Sequence, residues 1–388
     1  MPDKKSPFSS DFKLGIVGGG QLGKMMLSDT LKYDIQTKVL DPAANAPSRI
    51  GCNTFVQGSL TDYETVYNFG KDCDVVTIEI ENVNTDALSK LESEGVQVYP
   101  RPKALDIIKN KCIQKHFYRD QKIPTSPFFT FENKAEMKGK LQERDLKVPF
   151  VWKSATGGYD GKGVQIVRDT TDLEALPDVP GLIEELINYK KELAIIIIRN
   201  PNEDSCTFPI VEMDFHPTAN LVEYVFSPAI IEERHLQEAN SIAQKVATSL
   251  NHVGVLAIEL FLTTDDDILV NEIAPRVHNS GHLTIESNDT SQFEQHIRAI
   301  LNLPLGSTEM IRPAVMINLV GEEGFTGPVY YEGIEEIMSI QGVYVHLYGK
   351  AETKPFRKMG HITITAKTLE EARQKAKEIR QKIRVISK

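Results

Sequence analysis

The chain has 388 residues, of which 41% are hydrophobic and 25% are charged, and its formal net charge is −10. At roughly 100–200 residues per domain this length predicts two to four domains, and the composition excludes a disordered or fibrous protein. The acidic balance argues against a nucleic acid or a membrane surface as partner. The longest apolar run is the six residues 193–198, far below the ~20 that a membrane-spanning helix needs.

The first hundred residues alternate between predicted strands and predicted helices. Buried strands are predicted for residues 14–17, 35–40, 75–80 and 96–99, and helices for 21–32 and 62–70. Strands that alternate with helices form a parallel, doubly wound sheet. We therefore expect a doubly wound unit that closes near residue 101.

A glycine-rich turn, GGGQLG at 18–23, joins the first predicted strand to the first predicted helix. Such a turn directs backbone N–H groups toward an anion, and the helix dipole adds to the attraction. Asp41 ends the next strand, near the position of a dinucleotide-binding acid. The turn alone leaves three alternatives: a nicotinamide cofactor, another phosphorylated ligand, or a tight structural turn.

The rest of the chain has a different texture. A connecting helix is predicted for 103–118, and Pro124 and Pro127 mark a break after it. Strands separated by short turns follow, which predicts an α+β region with antiparallel sheet. A second break at Pro304 precedes the last segment. That segment has predicted strands near 313–320, 343–348 and 361–365, and a final amphipathic helix whose apolar stripe is Leu369, Ala372, Ala376, Ile379 and Ile383.

A second glycine-rich segment follows a strand that ends in Lys153. It has four glycines within residues 157–163 and leads into another strand. A Walker loop precedes a helix, so this loop is of a different kind. Glycines let the backbone approach phosphates closely, and a lysine neutralises their charge. The pattern favours a mobile flap over nucleotide phosphates, with an ordinary hairpin as the alternative.

Two glutamates interrupt the apolar runs VLAIELFL and ILVNEIA. If Thr263 pairs with Ile268 across a tight loop, Glu259 lies directly opposite Glu272 on one face of a hairpin. Like charges placed in this way are destabilising, and their burial costs several kcal/mol. A divalent cation between them removes the repulsion, and two carboxylates completed by phosphates are typical of a Mg²⁺–nucleotide site. The sequence therefore predicts a magnesium site here.

Further polar residues follow the hairpin. Arg276, His278 and Asn279 come directly after it and form a plausible pocket for a small oxyanion. Lys350 and Arg357 flank a later turn and could clamp a phosphate. Exposed lysine and arginine side chains are common, so this second pattern is weak by itself.

Together these motifs resemble the ATP-grasp superfamily, and within it the N5-carboxyaminoimidazole ribonucleotide synthetase family of purine biosynthesis. The resemblance runs from about residue 15 to residue 361 and rests on GGGQLG, IEIEN at 78–82, GGYDGKG at 157–163, NEIAPRVHNSGH at 271–282 and YGK…RKMGH at 348–361. It implies an N-terminal doubly wound parallel-sheet domain at 1–107, a central ATP-grasp domain at 108–310 with a small lid at about 120–187, and a small C-terminal β-rich domain at 311–388.

The resemblance also implies roles for individual residues. It assigns ATP binding to Lys111, Lys153, Gly158, Tyr159, Asp160, Gly161, Gly163, Glu184, Glu185, Ile187 and Glu192. It assigns binding of the ribonucleotide to Gly20, Gln21, Leu22, Tyr159, Asp160, Lys350 and Arg357. It assigns catalysis to Arg276, His278, Asn279, Glu81 and Glu79. It assigns Mg²⁺, with Mn²⁺ as an alternative, to Glu259 and Glu272.

The implied reaction is the carboxylation of 5-aminoimidazole ribonucleotide by bicarbonate with ATP, through carboxyphosphate. Either His278 or a glutamate of the IEIEN segment is the expected base. The alternatives are a sibling ATP-grasp enzyme, such as formate-dependent glycinamide ribonucleotide transformylase or biotin carboxylase, and an NAD-dependent oxidoreductase. The resemblance suggests a homodimer. The four cysteines have no C-x-x-C spacing, which favours reduced thiols in a cytoplasmic protein.

Overall fold

The N-terminal part is a parallel five-stranded sheet with helices against it. The computed structural model describes residues 5–157, 163–216 and 221–388. The first elements are β1 (Lys13–Val17), α1 (Gln21–Lys32), β2 (Gln36–Asp41), a 3₁₀ turn (Pro47–Ile50), β3 (Thr54–Gln57), α2 (Tyr63–Gly70), β4 (Val75–Ile78), α3 (Thr85–Ser93) and β5 (Gln97–Tyr99). The strand order is β3-β2-β1-β4-β5, which confirms the doubly wound prediction.

The strand order reverses between β1 and β4, so a crevice opens beyond their carboxyl ends. The glycine-rich turn follows β1, and Glu79 and Glu81 follow β4. Both predicted motifs therefore meet at the point where open α/β sheets bind ligands. The helix α3 and the strand β3 were not among the predicted elements.

The predicted connecting helix is two helices. They are α4 (Pro102–Lys109) and α5 (Lys111–Asp120). The break lies at Asn110, which has an extended backbone and whose Oδ1 accepts hydrogen bonds from the N–H groups of Cys112 and Ile113. This N-cap starts a new helix, so the prediction of one continuous helix is wrong, and Lys111 becomes the first residue of α5.

The segment predicted to be the lid is a four-stranded antiparallel sheet with two helices. Its elements are β6 (Phe128–Phe131), α6 (Lys134–Glu143), β7 (Phe150–Ser154), β8 (Val164–Val167), α7 (Thr170–Ala175) and β9 (Gly181–Glu185), with sheet order β6-β9-β7-β8. The flap at 157–163 joins β7 to β8, as the sequence predicts. An apolar core that includes Phe131, Phe150 and Trp152 holds the lid together.

A large antiparallel sheet carries the rest of the chain. Its elements are β10 (Tyr189–Arg199), β11 (Ser205–Thr207), β12 (Val211–Phe215), β13 (Val222–Ser227), α8 (Glu233–Ser249), β14 (Gly254–Thr263), β15 (Ile268–Ala274), a 3₁₀ turn (Asn279–Gly281), α9 (Thr284–Ser287), α10 (Gln292–Ile300) and β16 (Ala314–Val320). The strand order is β15-β14-β10-β12-β13-β16, β11 pairs with β10, and two C-terminal strands continue the sheet beyond β16.

The C-terminal segment completes this sheet and adds a small one. Its elements are β17 (Gly327–Glu332), α11 (Ile334–Ile337), β18 (Val343–Leu347), β19 (Glu352–Thr353), β20 (Lys358–Thr365), α12 (Leu369–Lys382) and β21 (Arg384–Ser387). The strands β19, β17 and β21 form the small sheet. Since β13 and β16 pair across residue 310, the large sheet is continuous there, and the domain division at 107 and 310 stays a prediction.

The final helix packs as its apolar stripe predicts. Ala372, Ala376 and Ile379 are buried against β16 and β20, and Ile383 is buried just beyond the helix. All four cysteines are free thiols. Across the part of the chain that the structure describes, no helix has the length and apolar character needed to cross a membrane.

Candidate active site

The two glutamates of the β14–β15 hairpin lie directly opposite each other, as predicted. Glu259 pairs with Glu272 in the register of the two strands. The predicted turn is wrong, because Ile268 pairs with Leu262 and not with Thr263. A β-bulge after Glu259 leaves Asn271 as the extra residue, so the register shifts by one and returns to the predicted pairing before the glutamates. An insertion of this kind turns a strand locally and redirects a side chain.

The two carboxylates have different surroundings. Glu272 accepts a hydrogen bond from Lys111 Nζ at 2.9 Å, and this ammonium lowers the pKa of Glu272. Burial and the charge of Glu272 raise the pKa of Glu259, whose nearest ion partner is His278 Nε2 at 3.5 Å. Lys111 thus keeps Glu272 ionised, whereas the negative charge of Glu272 disfavours ionisation of Glu259 opposite it.

A buried lysine cluster adjoins this pair. The carboxylate of Glu184 lies 3.1 Å from Lys153 Nζ and 3.2 Å from Lys115 Nζ, and Ser126 Oγ donates to it at 2.8 Å. Lys153 also donates to Asn271 Oδ1 at 3.1 Å. The predicted contact of Glu184 with adenine stays a prediction, and in this structure its carboxylate pairs with two lysines.

Lys115 and Asn271 escape the sequence analysis. Lys115 lies one turn after Lys111 on α5, and this spacing of four residues places both on one helix face. Burial lowers the pKa of Lys115 to about 8. Nothing in the apolar pattern of β15 shows the bulge that brings Asn271 to Lys153.

The expected adenine and ribose contacts lie on the chain from β9 to β10. Glu185 N donates to the carbonyl of Pro127 at 3.0 Å, Ile187 is half-buried, and Glu192 lies on β10 beside β14. Burial raises the pKa of Glu192. Four of the expected ATP contacts, which include both predicted ribonucleotide contacts of the flap, lie outside the described residues: Gly158, Tyr159, Asp160 and Gly161. Gly163, at the end of the flap, has the positive φ of 71° that favours glycine.

Carboxylates of the chain itself occupy the glycine-rich turn. Gly19 N donates to Asp41 Oδ2 at 2.8 Å, and Leu22 N donates to Glu79 Oε1 at 3.1 Å. A side chain on Gly20 would collide with the Glu79 carboxylate. Because Asp41 is turned back onto the turn, it is not placed to hold the ribose of a dinucleotide. Of the expected phosphate contacts here, the backbone N–H groups of Gly20 and Leu22 both bond to the Glu79 carboxylate.

Glu79 is fully buried, and burial raises its pKa from 4.5 to about 7. Because the folded state holds this proton more tightly, ionisation of Glu79 destabilises the fold as pH rises from 4.5 to 7, by about 3 kcal/mol at most. We expect Glu79→Gln to remove this penalty. The Tm of the variant relative to the parent protein should rise from pH 4.5 to 7 and stay constant above, as measured by thermal unfolding in matched buffers. A difference that is flat across this range would contradict the assignment.

The loop after the β14–β15 hairpin joins the facing glutamates to the crevice of the N-terminal sheet. Arg276 Nε donates to Glu81 Oε1 at 2.8 Å, and Arg276 Nη1 donates to the carbonyl of Val277 at 3.0 Å. The positive charge of Arg276 also acts on Glu79. The structure therefore brings three of the predicted catalytic residues together, from strands β4 and β15, at the crevice of the N-terminal sheet.

The ring of His278 has a defined tautomer. Ser280 N donates to His278 Nδ1 at 3.3 Å, and a backbone N–H cannot accept. The proton of the neutral ring is therefore on Nε2, which faces Glu259. Asn279 forms a reciprocal amide pair with Asn318 of β16, with distances of 2.8 and 2.9 Å. Its predicted contact with the oxyanion stays a prediction, while its side chain visibly ties the loop to the C-terminal strands.

The predicted phosphate clamp lies beside the first turn of α1. Lys350 Nζ donates to the carbonyl of Lys358 at 2.7 Å, and Arg357 Nη1 donates to the carbonyl of Glu352 at 2.7 Å. Lys24, which the sequence analysis missed, donates to the carbonyl of Leu347 at 3.0 Å. Because Lys24 lies in the first turn of α1, this bond holds the C-terminal turn beside the glycine-rich turn.

Three family models match successive parts of the chain. The ribonucleotide synthetase preATP-grasp domain matches residues 12–109, the ATP-grasp domain matches 116–293, and the phosphoribosylaminoimidazole carboxylase C-terminal domain matches 314–375. Their order is the order of the elements described above.

The similarity to known proteins covers nearly the whole chain. An N5-carboxyaminoimidazole ribonucleotide synthase of Bacillus subtilis is 37% identical over 355 residues, 90% of each chain. The crystal structure of N5-carboxyaminoimidazole ribonucleotide synthetase from Thermotoga maritima has a TM-score of 0.90 and 40% identity, and the match covers 97% of this chain and 100% of that one. The Aspergillus clavatus enzyme in complex with ADP and 5-aminoimidazole ribonucleotide has a TM-score of 0.86 and 35% identity, with 96% and 99% covered. The chain therefore belongs to the N5-carboxyaminoimidazole ribonucleotide synthase family, within the ATP-grasp fold.

Proposed function

We propose that the chain joins bicarbonate to 5-aminoimidazole ribonucleotide with ATP, and forms N5-carboxyaminoimidazole ribonucleotide, ADP and phosphate in purine biosynthesis. It is an ATP-dependent carbon–nitrogen ligase, as are its relatives of the same family. The observation that carries the proposal is the junction of Arg276 with Glu81. This ion pair joins the β14–β15 hairpin, which adjoins the carboxylate and lysine network, to the crevice of the N-terminal sheet.

The facing carboxylates of Glu259 and Glu272 fit a divalent cation. Glu259 is half-buried opposite Glu272 and has a raised pKa, which is the instability that a cation would relieve. Among the described residues, no group of three His, Cys, Asp or Glu could hold a metal. Two carboxylates suffice for Mg²⁺, or for Mn²⁺, because the remaining ligands are waters and substrate phosphates. Such an ion offsets charge on a transferring phosphoryl group.

The residues of the chain divide the chemistry between them. Lys111 and Lys153 lie where they can neutralise the ATP phosphates. A bicarbonate oxygen bonds to the γ-phosphorus, the bond from that phosphorus to its bridging oxygen breaks, and ADP and carboxyphosphate form. The exocyclic amine of the ribonucleotide then bonds to the carboxyl carbon, phosphate leaves, and the amine gives up a proton. Arg276 stabilises the negative charge of the carboxyphosphate.

The geometry favours Glu79 over His278 as the proton acceptor. His278 Nδ1 already accepts from Ser280, and Nε2 carries the proton, so the neutral ring can donate toward an oxyanion but has no exposed lone pair. Glu79 has a pKa of about 7, which is near the optimum for a general base at neutral pH. We therefore assign the base role to Glu79 and a donor role to His278.

The direct test is ADP release by the purified protein with Mg-ATP, with bicarbonate and ribonucleotide added or omitted. We expect release to require both. Release that needs formate in place of bicarbonate would instead indicate a sibling ATP-grasp reaction. Thermal stabilisation by NADH but not by Mg-ATP would indicate an oxidoreductase and overturn the proposal.

A substitution tests the phosphate clamp. We expect Lys350→Ala to raise the KM for the ribonucleotide by about tenfold, with little change in kcat, because a ground-state phosphate contact is lost. Steady-state kinetics with each substrate varied in turn would measure this. Lys375→Ala on α12 is the control, since that lysine donates to the carbonyl of Gln341 at the surface. A rise in the KM for ATP instead would show that the clamp is placed wrongly.

We also infer a homodimer, which the family resemblance suggests. The exposed apolar side chains of Leu31 and Ile50, 61% and 92% accessible, are consistent with a covered surface on the N-terminal part. Light scattering after size exclusion would measure the mass, and a monomer at micromolar concentration would contradict the inference. The cytoplasmic location expected from the cysteines stays a prediction.

A further inference from the structure

The first residue of α10 lies directly behind the loop that carries His278. Gln292 is fully buried. Its Oε1 accepts from His278 N at 2.9 Å, and its Nε2 donates to the carbonyl of His278 at 2.7 Å. One side-chain amide therefore satisfies both backbone groups of a single residue, as a neighbouring β-strand would.

The partners also fix which way the amide points. The N–H of His278 can only donate and its carbonyl can only accept, so one orientation of Gln292 makes both bonds. In that orientation Nε2 also donates to His282 Nδ1 at 3.1 Å. The same side chain thus sets the backbone of His278 and the tautomer of His282.

The surroundings of Gln292 leave it little freedom. Its own N–H donates to Thr284 Oγ1 at 2.9 Å, and Thr284 in turn donates to the carbonyl of Gly281 at 2.6 Å. A side chain on Gly281 would collide with the Gln292 amide. The glycine at 281 is therefore required by the amide that packs on it, which accounts for part of the motif HNSGH.

The helix that carries Gln292 is itself anchored to both halves of the site. His296 bonds Thr77 Oγ1 on β4 through Nε2 at 2.9 Å, and its Nδ1 accepts from Val255 N on β14 at 3.1 Å. Those strands lead to Glu79 and Glu259. A rigid support of this kind is what an active-site loop needs in order to hold its groups within a fraction of an ångström.

We propose that Gln292 is the positioning residue of the His278 loop, whose two-point clamp on the His278 backbone holds the imidazole and the neighbouring Arg276 in register with the reacting oxyanion. The inference rests on the proposed function of the same site. Gln292 does not touch substrate in this arrangement. Loss of Gln292 therefore affects kcat and the KM for bicarbonate. The KM for ATP changes little, because ATP is held by residues on other strands.

The chain offers a matched control on the same helix. Gln295 is also fully buried, and its amide makes the same pair of bonds to Gly306, with distances of 2.7 Å from Nε2 to the carbonyl and 3.1 Å from the N–H to Oε1. Gly306 lies in the loop after α10, away from the hairpin. Replacing either glutamine by methionine removes the same chemistry and preserves side-chain length.

We expect Gln292→Met to lower kcat by about tenfold to a hundredfold, as a small misplacement of catalytic groups does, and to leave the KM for ATP within twofold. Gln295→Met should lower Tm by a comparable amount with kcat unchanged. Gln292→Asn, which keeps an amide but cannot span both backbone groups, serves if the methionine variant fails to fold. Equal loss of kcat in Gln292→Met and Gln295→Met, or kcat within twofold of the parent protein in Gln292→Met, would overturn the proposal.

A spectroscopic readout separates this inference from the proposed function. In protein labelled with ¹⁵N-histidine, the His278 ring nitrogens, assigned with a His278→Gln sample, should shift in Gln292→Met and not in Gln295→Met. This result does not depend on turnover. A parent protein that lacks bicarbonate-dependent ADP release would refute the proposed function alone. Unchanged His278 signals in Gln292→Met would refute the positioning role of Gln292.

Discussion

The two glutamates of the hairpin should respond to neutralisation with opposite changes in stability and the same loss of activity. We expect Glu259→Gln to raise the Tm of the metal-free protein, because the substitution removes the negative charge that lies opposite Glu272. We expect Glu272→Gln to lower that Tm, because Lys111 then loses its ion partner at 2.9 Å. Because the Glu272 side chain is 43% accessible, solvent screens this ion pair and its loss costs about 1 kcal/mol, which corresponds to a few degrees.

Both variants should release ADP at least about a thousandfold more slowly than the parent protein, since each removes one of two carboxylates available to a cation that stabilises the transferring group. The measurements are thermal unfolding with a chelator present and ADP release with excess Mg-ATP. Asp266→Asn at the tip of the same hairpin is the control, because Asp266 pairs with Lys190 at the surface. Full turnover in either glutamine variant, or a lower Tm for Glu259→Gln, would remove the assignment of a cation site.

This pair also shows what a sequence can and cannot specify. A carboxylate inside an apolar strand is conspicuous, and strand alternation then restricts which residues can face each other. The predicted turn was one residue out, and the bulge at Asn271 was not foreseen. These two differences cancel at Glu259 and Glu272. The predicted pairing of Glu259 with Glu272 was therefore correct, although the apolar pattern does not show the bulge on which the pairing depends.

The N-terminal elements were predictable where burial is complete. The strands β1 and β4 are mostly apolar and buried over nearly all their length, and their runs stand out from the glycines and charges around them. The strand β3 has exposed ends and half-buried centres, so its sequence carries little apolar signal. The helix α3 does have a helix pattern in its sequence, which is an N-cap at Asn84 followed by the buried residues Leu88 and Leu91.

Most of the residues that sequence reasoning missed in the site have partners far away in the chain. Lys115 meets Glu184 across 69 positions, and Asn318 meets Asn279 across 39. Gln292 is an uncharged residue at a helix start, where it resembles any polar surface residue. Long-range pairing of this kind leaves no local periodicity, so it becomes visible only after the strands have been assembled.

The second large effect is expected at Arg276. Replacement by glutamine should lower kcat by about a hundredfold to a thousandfold, the usual loss when a donor to a developing oxyanion is removed. The KM for ATP should change little, because Arg276 contacts Glu81 and a backbone carbonyl rather than the lysine cluster. Arg276→Lys should be intermediate, because it keeps the charge but loses the planar fork that bonds two acceptors at once. Kinetics with bicarbonate, ATP and ribonucleotide varied separately would measure these changes.

Arg199 supplies the matched control for this substitution. It is buried at the far end of β10 and, like Arg276, contacts a carboxylate and a backbone carbonyl, namely Glu203 at 2.7 Å and the carbonyl of His252 at 3.1 Å, and it also donates to Asn251 Oδ1 at 3.3 Å. Arg199→Gln should therefore lower Tm without lowering kcat. If both arginine variants lose activity in proportion to stability, Arg276 only holds the two halves of the site together. If Arg276→Gln loses kcat at nearly unchanged Tm, its charge acts on the reaction itself, which is what its position between Glu81 and the His278 loop leads us to expect.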